Sequence, residues 1–251
     1  MIKRYVFSVA LALGLFVATL PVLAAEGGED LPSAGTNVND RAALQRGARL
    51  FFNYCVGCHS LKYVRYSRLA TDLGLSEDEV MSNLNFTGAK FGEPVLSHMP
   101  ADGAKAWFGK EPPDLSLEAR AKGVDFIFNY LNAFYLDPSR PVGWNNTVFP
   151  NASMPNPLWE LQGLQVAVHG EAKPGQEATV EKLELQRPGR MTPDEFRGAT
   201  RDLATFLEYT AEPAALERQS VGVWVILFLA GLTFLLYLVK HEYWKDVHEE
   251  H

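Results

Sequence analysis

Two long apolar runs lie near the two ends of the chain. The first covers residues 5–20, follows Lys3 and Arg4, and precedes a Val22-x-Ala24 pair of small residues. A basic start, an apolar core and such a pair are typical of a secretory signal peptide. A membrane span is the alternative, but it would need a longer apolar run. We therefore expect cleavage after Ala24 and export of most of the chain.

The second apolar run, residues 221–239, contains no charged residue. At about 1.5 Å per residue it extends roughly 28 Å, enough to cross the hydrocarbon core of a bilayer. Lys240 and Lys245 follow it, and excess positive charge predicts a cytoplasmic flank. We expect an inner-membrane protein with its main domain in the periplasm. The predicted parts are a signal peptide (1–24), an exported domain (25–215), a transmembrane anchor (216–240) and a cytoplasmic tail (241–251).

Helical patterns recur between these two runs. In residues 41–54, Leu44, Ala48 and Phe51 follow one another at three- and four-residue spacing. Helix start signals precede two further segments, since Ser76 has capping-box spacing and Thr192 is an N-cap residue followed by proline. The predicted helices run over 41–54, from 77 to 84, from about 116 to 135, and from 192 to near Pro213.

Residues 86–115 and 136–192 are rich in Gly, Pro and Asn, so most of their length is predicted to be irregular. Within the second stretch, residues 161–168 and 178–185 alternate enough to predict a small hairpin. The expected fold class is therefore mainly α, with long irregular loops and one C-terminal transmembrane helix.

Both cysteines of the chain lie in the run Cys55-Val56-Gly57-Cys58-His59. A C-x-x-C-H run is the attachment signature of a c-type haem, whose iron the histidine binds. Thioredoxin-like dithiols and zinc sites share the C-x-x-C spacing. The sequence has no second C-x-x-C for zinc, and a helix rather than a strand is predicted before the motif. With the export signal, the motif predicts one covalently attached haem c.

The occupant of the second axial position decides what such an iron does. An open position suits a sensor or an enzyme, whereas a methionine ligand gives a one-electron carrier with a raised potential. Met99 and Met154 are each followed by proline in irregular chain, where a rigid loop could direct a sulfur at the iron. Met154 is favoured because three prolines stiffen residues 149–157 and because its distance along the chain allows wrapping around the cofactor.

Four segments of the chain together carry a resemblance to a known family. They are the haem motif with its trailing Ser60-Leu-Lys-Tyr-Val64, the loop Pro112-Pro-Asp-Leu-Ser116, Met154-Pro155 and Phe206-Leu-Glu-Tyr-Thr-Ala-Glu-Pro213. They resemble the cytochrome c1 family, the haem subunit of the cytochrome bc1 complex, and the similarity covers most of the exported part and the start of the anchor. One departure is Ala106-Trp-Phe-Gly-Lys110, which has bulky aromatics where that family usually has small polar residues.

The resemblance implies a cytochrome c-type haem domain with a closed site. In such a domain, Cys55 and Cys58 would carry the two thioether bonds to the haem. His59 and Met154 would be the two axial ligands of the iron.

The resemblance also implies contacts around the haem edge. The Pro112–Ser116 loop, which includes Pro113, would lie against the haem. A basic residue shortly after this loop would contact a haem propionate, and Arg120 and Lys122 both qualify. We favour Arg120 because a guanidinium group suits a carboxylate better than an ammonium does.

By the same resemblance, the chain is expected to relay one electron from a Rieske iron–sulfur protein to a cytochrome c, with its anchor beside cytochrome b. It would be a non-catalytic electron-transfer subunit of a quinol–cytochrome c reductase. Two alternatives stay open. One is an anchored monohaem cytochrome that serves another oxidase, and the other is a haem sensor or enzyme with an open sixth position.

The net charge of the chain limits the kinds of molecule that it can bind. Loss of Lys3 and Arg4 with the signal peptide leaves 21 basic residues against 30 acidic ones, for a net charge near −9. Such a charge argues against nucleic acid as a partner. It allows electrostatic steering of a basic soluble protein.

Overall fold

The computed structural model describes residues 31–170 and 179–245 of the chain. The predicted signal peptide and the last residues of the predicted tail lie outside these ranges. In chain order the elements are α1 (Arg41–Tyr54), β1 (Leu61–Arg65), α2 (Tyr66–Leu73), α3 (Glu77–Asn83), β2 (Pro94–Val95), α4 (Ala101–Phe108), α5 (Glu118–Lys122), α6 (Val124–Asn132), β3 (Phe134–Leu136), β4 (Trp144–Asn146), α7 (Trp159–Gln162), β5 (Gly163–His169), β6 (Val180–Pro188), α8 (Pro193–Ala211) and α9 (Ala215–Tyr243).

The core forms where α1 packs against α8. Asp40 caps α1, and Thr192 with Glu195 forms a complete capping box at the start of α8, so local signals fix where both helices begin. The apolar stripe of α1 is buried, and the ring of Phe51 lies 5.7 Å from that of Phe206 in α8. The predicted helices of residues 41–54 and from residue 192 are therefore confirmed.

Gly47 marks a close approach of α1 to α8. A Cβ atom at this position would lie 2.1 Å from the carbonyl oxygen of Asp202 and 2.7 Å from the Cβ of Phe206. Since overpacking a core costs about 1–3 kcal/mol, Gly47→Ala should lower the free energy of unfolding by roughly that amount. Denaturant titration would measure the loss.

Gly198→Ala is the matched control for this test. Gly198 lies within α8, and a Cβ there would meet nothing within 4 Å. Because alanine favours helices over glycine by about 0.5–1 kcal/mol, this variant should be slightly more stable. Similar effects of the two substitutions would contradict the close helix crossing.

The prediction of a single helix over residues 116–135 is wrong. The structure has two helices, α5 and α6, which Gly123 separates with φ 87° and ψ 147°. A positive φ is open to glycine at little cost, so this residue breaks the helical path.

Short strands support the loop that follows α6. The sheet order is β4-β3-β5-β6, in which β3 and β5 pair in parallel and the other neighbours are antiparallel. The predicted hairpin is confirmed as the β5–β6 pair. Strands β3 and β4 were not predicted, and β4 leads directly into the segment that carries Met154.

The last helix extends well past the core. Helix α9 has 29 residues, and its segment Val221–Tyr243 has a mean hydropathy of 2.4 with no part buried in the protein. The helix is thus long and apolar enough to cross a membrane. It starts after the break at Pro213, as the sequence indicates, and the fold class is mainly α with loops and one such C-terminal helix.

Candidate haem site

The C-x-x-C-H motif continues the path of α1 as a tight turn. The backbone N–H of Cys55 donates to Phe51 at 2.8 Å, and those of Cys58 and His59 both donate to the Cys55 carbonyl at 3.0 and 2.8 Å. These bonds bring both thiols and the imidazole to one wall of a cavity. Burial raises the pKa of the Cys55 thiol to about 12 and also raises that of Cys58. Two neutral thiols do not suit thiolate redox chemistry, which requires a lowered pKa.

The orientation of His59 is fixed by one hydrogen bond. Its Nδ1 lies 2.7 Å from the carbonyl oxygen of Pro113. Because a carbonyl can only accept, Nδ1 carries the proton and Nε2 keeps its lone pair. Burial lowers the pKa of His59, against the opposing effect of the bond to Pro113. The result is a neutral, oriented imidazole, which is the form that binds a metal.

The loop after α4 is bonded to the segment after the haem motif. The N–H of Leu115 donates to the Ser60 carbonyl at 2.9 Å, and the N–H of Lys62 donates to Asp114 Oδ2 at 2.9 Å. Asp114 Oδ1 also accepts from the backbone N–H of Ser116 at 3.0 Å. These bonds hold the Pro113 carbonyl at His59, which gives the Pro112–Ser116 loop a physical role.

A cavity of about 320 Å³ lies between the motif, the Pro112–Leu115 loop, α6, α8 and the Met154 loop. Its volume is in the range of known ligand sites, and most of its wall is apolar. The lining residues from the helices and loops include Tyr54, Phe126, Ile127, Tyr130, Leu131, Phe149, Leu203 and Leu207.

Met154 lines the same cavity as the three motif side chains, together with its neighbours Ser153 and Pro155. Met99 lies within the described part of the chain, between β2 and α4, and does not line this cavity. Both axial ligands of one iron must line the cavity that holds it. His59 and Met154 line one cavity, whereas Met99 does not line it.

The two candidate cations lie at different cavities. Lys122 lines the cavity that contains the motif, and its Nζ is 6.0 Å from the centre of the Phe126 ring. Arg120 lines a second cavity instead, with Glu208 and Arg218. The structure therefore does not bring the favoured Arg120 to the predicted site, and it brings Lys122 there.

The aromatic segment that departs from the family pattern borders the cavity. It forms the end of α4, and both Phe108 and Lys110 are among the lining residues. Trp107 is 62% exposed and packs edge-on against Phe108, with ring centres 6.4 Å apart. Phe108 and Lys110 thus form part of the cavity wall, and Trp107 packs against Phe108 from outside it.

These residues fit a c-type haem. The cavity joins two neutral thiols, an imidazole with a free Nε2, a thioether sulfur and apolar walls. Thiols, imidazole and thioether are the groups that attach and ligate haem in this class of protein. Lys122 adds a cation that a haem carboxylate could meet. Dithiol chemistry accounts for none of His59, Met154 or the apolar wall.

Comparison with known proteins finds relatives that match most of the chain. The sequence model of the Cytochrome C1 family matches residues 34–90 and 189–247. Cytochrome c1 of Allochromatium vinosum is 48% identical over 95% of this chain and 98% of its own length. The ammonia monooxygenase gamma subunit of Nitrosomonas europaea is 39% identical over 93% and 97%, and cytochrome c1 of Rhodospirillum rubrum is 31% identical over 83% of each chain. The family match leaves out residues 91–188, so the position of Met154 rests on the cavity geometry.

Proposed function

This chain belongs to the cytochrome c1 family, whose members are haem proteins of electron transport, and on that premise we propose that it is the haem-bearing subunit of a quinol–cytochrome c reductase. Its role is to pass one electron from a Rieske iron–sulfur protein to a cytochrome c. The observation that carries the proposal is the shared cavity of Cys55, Cys58, His59 and Met154.

The residues of the chain hold and shield the cofactor rather than change a covalent bond of a substrate. Cys55 and Cys58 would hold haem c through thioether bonds. His59, oriented by Pro113, and Met154 would occupy both axial positions and leave none for a substrate. When bound, the haem supplies a one-electron redox change whose potential the methionine ligand raises. The apolar walls exclude water, which also favours the reduced iron because it carries less charge.

The charges beside the apolar segment of α9 support a membrane arrangement. Lys240 and Lys245 follow that segment, which favours a cytoplasmic C-terminal end and a periplasmic haem domain. A signal peptide over residues 1–24 would direct that export. Helix α9 exposes apolar side chains along its length, which supports lateral contact with lipid and with cytochrome b.

Purification from detergent-extracted membranes tests the proposed role. The chain should purify with cytochrome b and the Rieske protein, and a quinol should reduce its haem only in that complex. A solitary, stable subunit would favour a carrier for another oxidase. Purification with monooxygenase subunits, as the name of the Nitrosomonas europaea relative would suggest, would also contradict the proposal.

Lys122→Ala should lower the reduction potential, because it removes a positive charge that disfavours the oxidised haem. An exposed charge pair is worth about 0.2–1 kcal/mol, which corresponds to roughly 10–40 mV for one electron. Arg120→Ala is the control and should leave the potential unchanged, since Arg120 lines the second cavity. A larger shift in Arg120→Ala than in Lys122→Ala would restore Arg120 as the propionate contact.

A further inference from the structure

Buried amide side chains surround the loop that carries Met154. Asn145, Asn146, Asn156 and Gln162 are 8%, 1%, 3% and 8% exposed. Burying an amide is unfavourable unless its donor and acceptor atoms are paired, so these four groups need specific partners. Their partners connect the loop to the wall of the haem cavity.

The first connection precedes Met154 and centres on Asn146. Its Oδ1 accepts from the backbone N–H groups of Val148 and Phe149 at 2.9 and 3.1 Å, and its Nδ2 donates to the carbonyl of Tyr130 at 2.8 Å. Since two N–H donors face one side and a carbonyl faces the other, the orientation of the amide is determined. Asn146 therefore ties the start of the loop to α6.

Asn145 reinforces this connection from the adjacent position in β4. Its Oδ1 accepts from the N–H of Asn151 at 2.8 Å, and its Nδ2 donates to Asp137 at 2.9 Å. Asn151 adopts φ 64°, the only positive φ among the non-glycine residues of the described chain. The bond from Asn145 holds this sharp turn three residues before Met154.

The second connection follows Met154 and centres on Asn156. Its Oδ1 accepts from the N–H of Leu158 at 2.9 Å, and its Nδ2 donates to Gln162 at 2.6 Å. Gln162 in turn donates to the carbonyl of Asn132 at 3.1 Å. Asn132 is the last residue of α6, so both connections end on the same helix.

Helix α6 lines the haem cavity through Ile127 and Leu131. Only residues 147–155 lie between the two amides, and Met154 is two residues before Asn156. We propose that Asn146 and Asn156 are positioning residues that hold the Met154 sulfur at the sixth position of the iron. They do so by fixing both ends of its loop to α6. This inference rests on the proposed role of Met154 as the axial ligand.

Asn146→Ala and Asn156→Ala should raise the population of the form in which Met154 has left the iron. Loss of a buried amide network should raise it by about tenfold for each variant. The readouts are the far-red absorption band of methionine-ligated ferric haem and carbon monoxide binding by the reduced protein. We expect a weaker band and faster, more extensive binding, with haem still covalently attached.

Asn129→Ala is the matched control. Asn129 lies in α6 and donates to the carbonyls of Pro32 and Asp125, away from the Met154 loop. It should lose comparable stability without changing the band or the binding of carbon monoxide. The inference is overturned if Asn146→Ala and Asn156→Ala behave like Asn129→Ala. Loss of the holoprotein in both of these asparagine variants would overturn it as well.

The parallel Met154→Leu variant separates the two proposals. If it opens the site while both asparagine variants keep it closed, only the positioning role fails. If it leaves the spectrum unchanged, the ligand assignment itself fails, and the positioning role fails with it.

Discussion

Replacement of Met154 by leucine should open the sixth position of the haem iron and lower its reduction potential. Leucine and methionine have similar volumes, so the cavity wall should keep its packing while the sulfur is lost. Axial ligands set haem potentials over a range of roughly 0.8 V, and we expect a fall on the order of 0.1–0.3 V. The far-red band should disappear, and the reduced protein should bind carbon monoxide. Redox titration and absorption spectra measure both effects.

Met99→Leu is the control for this prediction. Met99 lies in irregular chain before a proline, as Met154 does, but it does not line the cavity within the described structure. Its substitution should leave the spectrum and the potential as they are. If Met99→Leu opens the site and Met154→Leu does not, the axial ligand has been assigned to the wrong methionine.

Replacement of both Cys55 and Cys58 by serine should abolish covalent haem. Each thioether bond needs one of these thiols, and they are the only cysteines in the chain. Without the haem, the apolar lining of the cavity would stay in contact with water, so the variant should also accumulate poorly. Mass spectrometry of the denatured chain reports the attached haem directly.

Gly57→Ser provides the control within the same motif. Gly57 separates the two cysteines, and a Cβ there would meet nothing within 4 Å. This variant should therefore keep the full mass of a haem-bearing chain. Covalent haem on the double cysteine variant would contradict attachment at the motif.

Local signals in the sequence account for much of the fold. The capping residues Ser76 and Thr192 mark helix starts, and the spacing of apolar residues identifies α1. Strands β3 and β4 have only three residues each and form through pairing with distant chain, so no local pattern specifies them. Helix α4 was missed in a stretch rich in Gly and Pro, although Pro100 and Gly109 bound it as helix start and stop residues do.

Only part of the candidate site could be predicted from the sequence. The haem motif is contiguous in sequence, so its chemistry can be inferred directly. The preference for Arg120 over Lys122 rested on the chemistry of the two groups alone. It could not include the packing of α5, which puts Lys122 on the cavity that contains the motif and Arg120 on a second one. The buried asparagines resembled ordinary loop residues, and only their density around Met154 hinted at a structural role.

The most direct test of the central claim is a spectroscopic redox titration of the protein extracted from membranes. A closed His59–Met154 site predicts low-spin haem in both oxidation states, a far-red band when oxidised, and a single one-electron transition at a raised potential. Carbon monoxide should bind little to the reduced form. High-spin iron that binds carbon monoxide readily would contradict the account, because it would show an open sixth position.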